Sequence, residues 1–207
     1  MKNIRTILVV FSAFMVLSTI ANAQKGTLKF NLDYNYSIPS GSFKSDLVKN
    51  NSARGVRGGI MYSFTDRLSA GLETGFQDYY QKYPRDIYKS GNSQDISAVL
   101  TNSIQTTPFL LKGKYSLLAG SMIKPYVSVG AGANLIDFKQ YYGEFANSQT
   151  NVGFLAQGGV GVTIPFGKVS ASGIDLGATY DFAPYKKYGY HDLNSVNLKA
   201  GVHFRID

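Results

Sequence analysis

From residue 27 to 36 the chain reads Thr-Leu-Lys-Phe-Asn-Leu-Asp-Tyr-Asn-Tyr. Leu28, Phe30, Leu32, Tyr34 and Tyr36 share one phase of a two-residue period, and Thr27, Lys29, Asn31, Asp33 and Asn35 share the other. Successive side chains of a strand point to opposite faces, so this run predicts a β-strand with one apolar and one polar face. The same period returns over residues 56–64, 68–76, 109–117, 127–135, 154–164, 174–182 and 196–204. Of these, 174–182 is the cleanest, setting Ile174, Leu176, Ala178, Tyr180 and Phe182 against Asp175, Gly177, Thr179 and Asp181. Eight strands follow, each close to the roughly 9 to 11 residues that a tilted strand needs to cross a bilayer.

The connections alternate as strictly as the strands. Those near Asp66, Gly120 and Gly167 are short, whereas residues 39–53, 79–103, 137–150 and 183–194 are long and polar and read as loops. In an up-and-down barrel of even strand number every second connection lies at the same end, so the short turns predict a periplasmic rim and the long loops an outer one. Aromatic residues gather near the strand ends. Tyr34, Tyr36, Phe76, Tyr79, Tyr80, Tyr141, Tyr142, Phe154, Tyr180 and Phe182 fall toward the outer rim, and Tyr62, Phe64, Tyr115, Tyr126, Phe166 and Phe204 toward the inner one. Rings with a polar tip suit headgroup depth, although β-propensity alone also enriches them in strands.

The first residues read as an address. Lys2 and Arg5 precede an apolar run over residues 7–20, and Ala21-Asn22-Ala23 supplies a small-x-small cleavage pattern. This predicts a secretory signal over residues 1–23, cut before Gln24, with residues 24–207 forming one barrel domain. The apolar run is shorter than the roughly 20 residues of a spanning helix. The chain has 207 residues, 44% hydrophobic and 16% charged, with 22 Gly, no Cys and no Trp. That balance excludes disorder and a bundle of membrane helices. The absence of Cys excludes thiolate metal sites, disulfides, a Cys nucleophile and a lipoprotein anchor. The formal charge of +8, two units of it in the leader, accompanies no basic helix, and an exported chain gives no reason to expect nucleic acid. The glycines form no phosphate-cradling spacing.

Periodicity alone also fits a soluble eight-stranded calyx with its apolar face inward. The loop asymmetry, the leader and the C-terminus favour the membrane barrel. In the tail Lys199 is followed by Gly201, Phe204 and Ile206 at a two, five and seven spacing. It resembles the C-terminal signal that the outer-membrane assembly machinery reads on barrel proteins, with Asp207 as an extra residue. The chain from Gln24 onward resembles the small outer-membrane β-barrel domain proteins of the Bacteroidetes and, more distantly, the barrels of outer-membrane proteins A and W. Ile38-Pro39-Ser40-Gly41-Ser42-Phe43 and Thr107-Pro108-Phe109-Leu110-Leu111-Lys112 are similar to elements of that group. The resemblance implies an all-β, eight-stranded antiparallel up-and-down transmembrane β-barrel. It also implies outer-membrane lipids and the assembly machinery as partners.

With the apolar phase turned outward, Lys29, Arg57, Lys112, Lys114, Lys199 and Arg205 face inward with Asp33, Glu73, Asp175 and Asp181. So small a barrel is wide enough only for its own side chains, so these charges should pair into a buried network that plugs the lumen. Of the two histidines, His203 should be packed or paired inside near the periplasmic end, away from the outer leaflet where lipid A is modified, and His191 solvated in the last loop with no clear serine-plus-acid constellation beside it in sequence. The outer loops carry a small excess of bases, which fits either a solvated rim or contacts with lipopolysaccharide phosphates. The expected role is therefore structural or surface-binding, without enzyme activity, cofactor or metal. Two alternatives remain: uptake of a small hydrophobic solute through a lateral opening, for which Pro108 could break the fourth strand, and lipid A modification.

Overall fold

The computed structural model describes residues 26–90, 94–118, 121–142, 145–167, 172–187 and 190–206. The leader at 1–23 and Asp207 lie outside the described residues, as do the side chains of Tyr142 and His191. Among the described residues there are ten strands: β1 (Thr27–Pro39), β2 (Ser52–Ser63), β3 (Leu68–Ser90), β4 (Gln94–Ser116), β5 (Lys124–Tyr142), β6 (Phe145–Pro165), β7 (Gly173–Phe182), β8 (Pro184–Lys187), β9 (Tyr190–Asp192) and β10 (Ser195–Ile206). Eight of them close into a barrel in the order β1-β10-β7-β6-β5-β4-β3-β2, with every neighbour antiparallel. β8 and β9 make a separate hairpin in the last connection at the long-loop end. The first connection there contains a single π-helical turn, Phe43–Leu47. The seam between β1 and β10 runs from Leu28 opposite Ile206 to Pro39 opposite Ser195, so chain start and chain end zip together over the full wall.

The apolar phase faces outward. Leu72 is 67% exposed and Val129 68%, and Phe30, Ile60, Leu111, Val160, Leu176 and Leu198 continue the band around the wall. Soluble proteins rarely expose apolar patches beyond a few hundred Å². A continuous belt is stable only against hydrocarbon, and a closed sheet can enter hydrocarbon because every backbone group finds its partner within the wall. The calyx reading is thereby excluded: Asp33, Arg57, Glu73, Asp175, Asp181 and Lys199 are buried inside.

Four expectations need correction. Residues 79–103 and 137–150 are largely strand: β3 pairs with β4 out to Ser90 opposite Gln94, and β5 with β6 out to Tyr142 opposite Phe145. Apolar alternation stops where the sheet leaves lipid, but the hydrogen-bonded ladder does not, so the pattern marked the wall's boundary and not the strands' ends. Tyr79 is not a rim aromatic, because it sits inside the barrel at 3% exposure. Tyr126 likewise shares the inward phase of Ser128 and lines the lumen. Pro108 does not open the wall: it is fully buried and keeps its register with Asn134. Against β3 the pairings next to it lapse between Thr74–Phe109 and Gln77–Thr106, yet the register is the same on both sides.

Candidate functional site

The lumen is organised in three layers, and each follows from which side chains the inward phase delivers at that depth. At the long-loop end the layer is apolar. The π-helical turn folds into the mouth and buries Phe43, Leu47 and Val48 against Tyr79, Ile104, Leu110, Ile136 and Leu155 of the wall. Phe43 meets Tyr79 edge to face, with centroids 4.8 Å apart. Gly41, at φ +61°, makes the reversal, and a side chain there would run into the Asp192 carboxylate. Asp192 accepts from the Ser42 hydroxyl at 2.8 Å, and its own N–H donates back to that hydroxyl at 3.1 Å. The two connections are thus clasped, and Leu193, Tyr185 and Ala183 complete the plug from the far side. Asn102 and Tyr83 donate to the Leu47 carbonyl at 3.3 and 3.1 Å, which satisfies the end of the turn.

Below the plug lies a layer of uncharged polar groups around one ion pair. The Asn35 amide donates to Gln77 at 2.8 Å and to Asn197 at 3.1 Å, and Gln77 donates to the Ser52 hydroxyl at 2.8 Å. Across the lumen Arg57 Nη2 meets Asp181 at 2.9 Å, and Gln157 donates to the other Asp181 oxygen at 2.8 Å. Both partners of the ion pair are almost wholly buried.

The third layer is charged and surrounds a cavity of about 610 Å³ reaching the short-turn end, where Thr65 and Asp66 of the β2–β3 turn form part of its wall. Glu73 receives Lys112 at 2.6 Å and Lys199 at 2.8 Å on its two oxygens. Asp175 receives Lys114 at 2.8 Å, the Thr163 hydroxyl and His203 Nδ1. The same Lys114 ammonium lies 3.9 Å from the centre of the Tyr126 ring. Asp33 accepts from Asn31 at 3.0 Å. Lys29 and Arg205 line the cavity wall opposite one another on β1 and β10.

The ten inward charges read from the sequence therefore form separate groups: Arg57 with Asp181, Glu73 with Lys112 and Lys199, and Asp175 with Lys114. Lys29 and Asp33 stand outside those groups, and Arg205 lies beside Lys29. His203 joins the Asp175 group. In the tail Lys199 points inward while Phe204 and Ile206 face outward. Gly201 lies directly against β1, where a Cβ would come within 2.2 Å of the Leu32 carbonyl. Sequence reasoning missed two sets. Asn35, Gln77, Asn197 and Gln157 share the inward phase of the charges and were readable from parity. Leu47, Val48 and Leu193 stood out only as apolar residues inside polar connections, and Phe43 only as the end of the Ile38–Phe43 element, with no period to give their direction.

The family model described as outer membrane protein beta-barrel domain matches residues 7–205. A major outer membrane protein from Thermus thermophilus is similar in structure, with a TM-score of 0.55 at 13% identity over 88% of this chain and 100% of that one. Neisserial surface protein A is similar with a TM-score of 0.50 at 15% identity over 89% of this chain and 99% of that one. At such identities the likeness concerns the fold. A search of curated proteins finds no match.

Proposed function

From a chain that belongs to the outer-membrane protein β-barrel domain family, and so resides in the outer membrane, we infer a closed, non-conducting barrel that holds a surface structure in place. The observation that carries this reading is the apolar plug. Phe43, Leu47, Val48, Ile104, Leu110, Ile136 and Leu155 are each at most 2% exposed. Hydrated ions do not cross such a layer, because transfer of a charge into an apolar environment costs far more than thermal energy supplies. The Arg57–Asp181 and Gln157 layer below it is a second obstruction. Past the last pairings of β2 and β7, β3 to β6 stay paired out to Leu100 and Tyr142, and β3 and β4 alone run on to Ser90 opposite Gln94, which carries sheet out to the outer face. Its natural role is structural or surface-binding, and no catalytic step is proposed. The short-turn end faces the periplasm, following the general pattern of bacterial barrels. The leader at residues 1–23 directs export, and the assembly machinery reads Lys199, Gly201, Phe204 and Ile206.

Two measurements test this. In planar bilayers the purified protein gives no steady conductance of porin size, and a sustained open level would overturn the plugged reading. Because the chain contains no Cys, single-cysteine variants report orientation cleanly. Asn50→Cys in the first long connection is labelled by an impermeant maleimide on intact cells, whereas Asp66→Cys in the β2–β3 turn is labelled only after the envelope is opened. The reverse pattern inverts the topology.

A further inference from the structure

The cavity at the short-turn end is a blind cup, closed above by the Arg57 layer and the plug. Its volume of about 610 Å³ falls within the roughly 300–1,000 Å³ of small-molecule sites. Lys29, Lys112, Lys114, Lys124, Lys199 and Arg205 line it, against Asp33, Asp66, Glu73 and Asp175. The acids are unevenly distributed. Glu73 is occupied on both oxygens by Lys112 and Lys199, and Asp175 by Lys114, Thr163 and His203. Lys29 and Lys124 form no ion pair with any described residue, and neither do Asp33 and Asp66, so the surplus is that of six lining bases over four lining acids.

Lys29 also lies directly across the β1–β10 ladder from Arg205, and like charges so placed repel. A cup with low-dielectric walls focuses the field of its surplus charge and concentrates counter-ions at the mouth. Hydroxyl groups of Ser63, Ser69, Thr65 and Ser116 line the same wall and can donate to an oxyanion. Ammonium groups are point charges with several rotatable donors, suited to the many oxygens of phosphate.

We propose that this cup is a binding site for a small, soluble, multiply charged phosphate anion, held chiefly by Lys29 and Lys124 with Arg205 beside them. The barrel wall surrounds the cup, so the phosphate is that of a free anion and not of a lipid headgroup. Entry from the periplasm rests on the orientation inferred above, but binding itself does not, so the cysteine labelling and the binding test fail independently.

The test is titration of the folded, isotope-labelled protein with pyrophosphate in phosphate-free maltoside micelles, at ionic strength held constant with chloride. Saturable amide shifts are expected at Lys29, Lys124, Tyr126 and Arg205, with none around the π-helical turn. Lys29→Gln/Lys124→Gln weakens the apparent affinity at least tenfold, while Lys44→Gln/Lys49→Gln at the opposite end leaves it unchanged. Should the double variant fold poorly, as judged by its gel mobility before and after boiling, Lys124→Gln alone is read, with a smaller loss expected. In nanodiscs, phosphatidylglycerol and phosphatidylcholine give the same spectrum at these residues. Shifts that do not saturate, that spread over both ends, that survive the lysine changes, or that phosphatidylglycerol produces in place of pyrophosphate overturn the proposal.

Discussion

Arg57 and Asp181 show what a lumen wrapped in lipid demands of a charge. Neither can reach water, and each is held by the other and, for Asp181, by Gln157. Removing one partner of such a pair leaves the other buried and uncompensated, which costs about 3–5 kcal/mol. Asp181→Leu should therefore lower the unfolding free energy by about that amount, while Arg57→Met/Asp181→Leu recovers most of the loss because no lone charge remains. Urea titration of the folded, fast-migrating gel band measures both, and equal destabilisation of single and double variants would contradict the pairing. The glycines divide in the same local way. A Cβ at Gly201 would strike the Leu32 carbonyl and the Asp33 carboxylate, whereas a Cβ at Gly158 meets nothing within 4 Å. Gly201→Ala should thus cost on the order of 1–3 kcal/mol by overpacking the closing seam, and Gly158→Ala should leave the urea midpoint unchanged or raised. At this scale parity placed the charges on one side of each strand. It could not say that Glu73 takes two lysines and Arg57 none but Asp181, because those choices depend on distances across the barrel that only the closed register creates.

At the scale of elements the sequence was legible in proportion to how sharply the environment changed along it. Strands facing hydrocarbon on one side and charges on the other printed a clear two-residue period, so β1, β7 and β10 were found almost to their ends. At the level of the plug the inward positions themselves turn apolar, Tyr79 and Ile104 packing on the π-helical turn, so the period of apolar-out and polar-in is lost although Asp78 to Lys82 still pair with Thr101 to Gln105. The π-helical turn was invisible for the opposite reason: its burial comes from tertiary clasping between Ser42 and Asp192, not from any repeat. The turn is a separable unit, which makes a specific prediction. Phe43→Ala and Leu47→Ala should each cost about 2–5 kcal/mol within that unit, from lost burial and the cavity left behind. Amide hydrogen exchange over residues 41–48 and 192–195 should accelerate while β7 and β10 below the plug keep their protection. Exchange that quickened uniformly around the barrel would show that plug and wall unfold together.

For the whole molecule, the decisive property is that the barrel is inverted relative to a soluble fold, with its most polar groups enclosed and its apolar ones outside. Leu72, near the middle of the lipid-facing stretch of β3, pairs with Ile60 on one side and Leu111 on the other, so three exposed aliphatic side chains adjoin at that level. A charge at that point has no water to reach without thinning the bilayer or stretching along the wall. Leu72→Arg should cost about 2–4 kcal/mol when the protein folds into vesicles, the magnitude for a lipid-facing arginine at the bilayer midplane. Asn50→Arg, in the exposed first connection, should cost nothing measurable by the same folding titration. In a detergent micelle, where headgroups and water approach the wall more closely, the penalty for Leu72→Arg should shrink. A calyx with a solvated exterior would instead accept arginine at residue 72 in both settings, because a surface cation in water needs no partner. The difference between vesicle and micelle thus isolates the contribution of the hydrocarbon itself, separately from any packing that Leu72 shares with its neighbours.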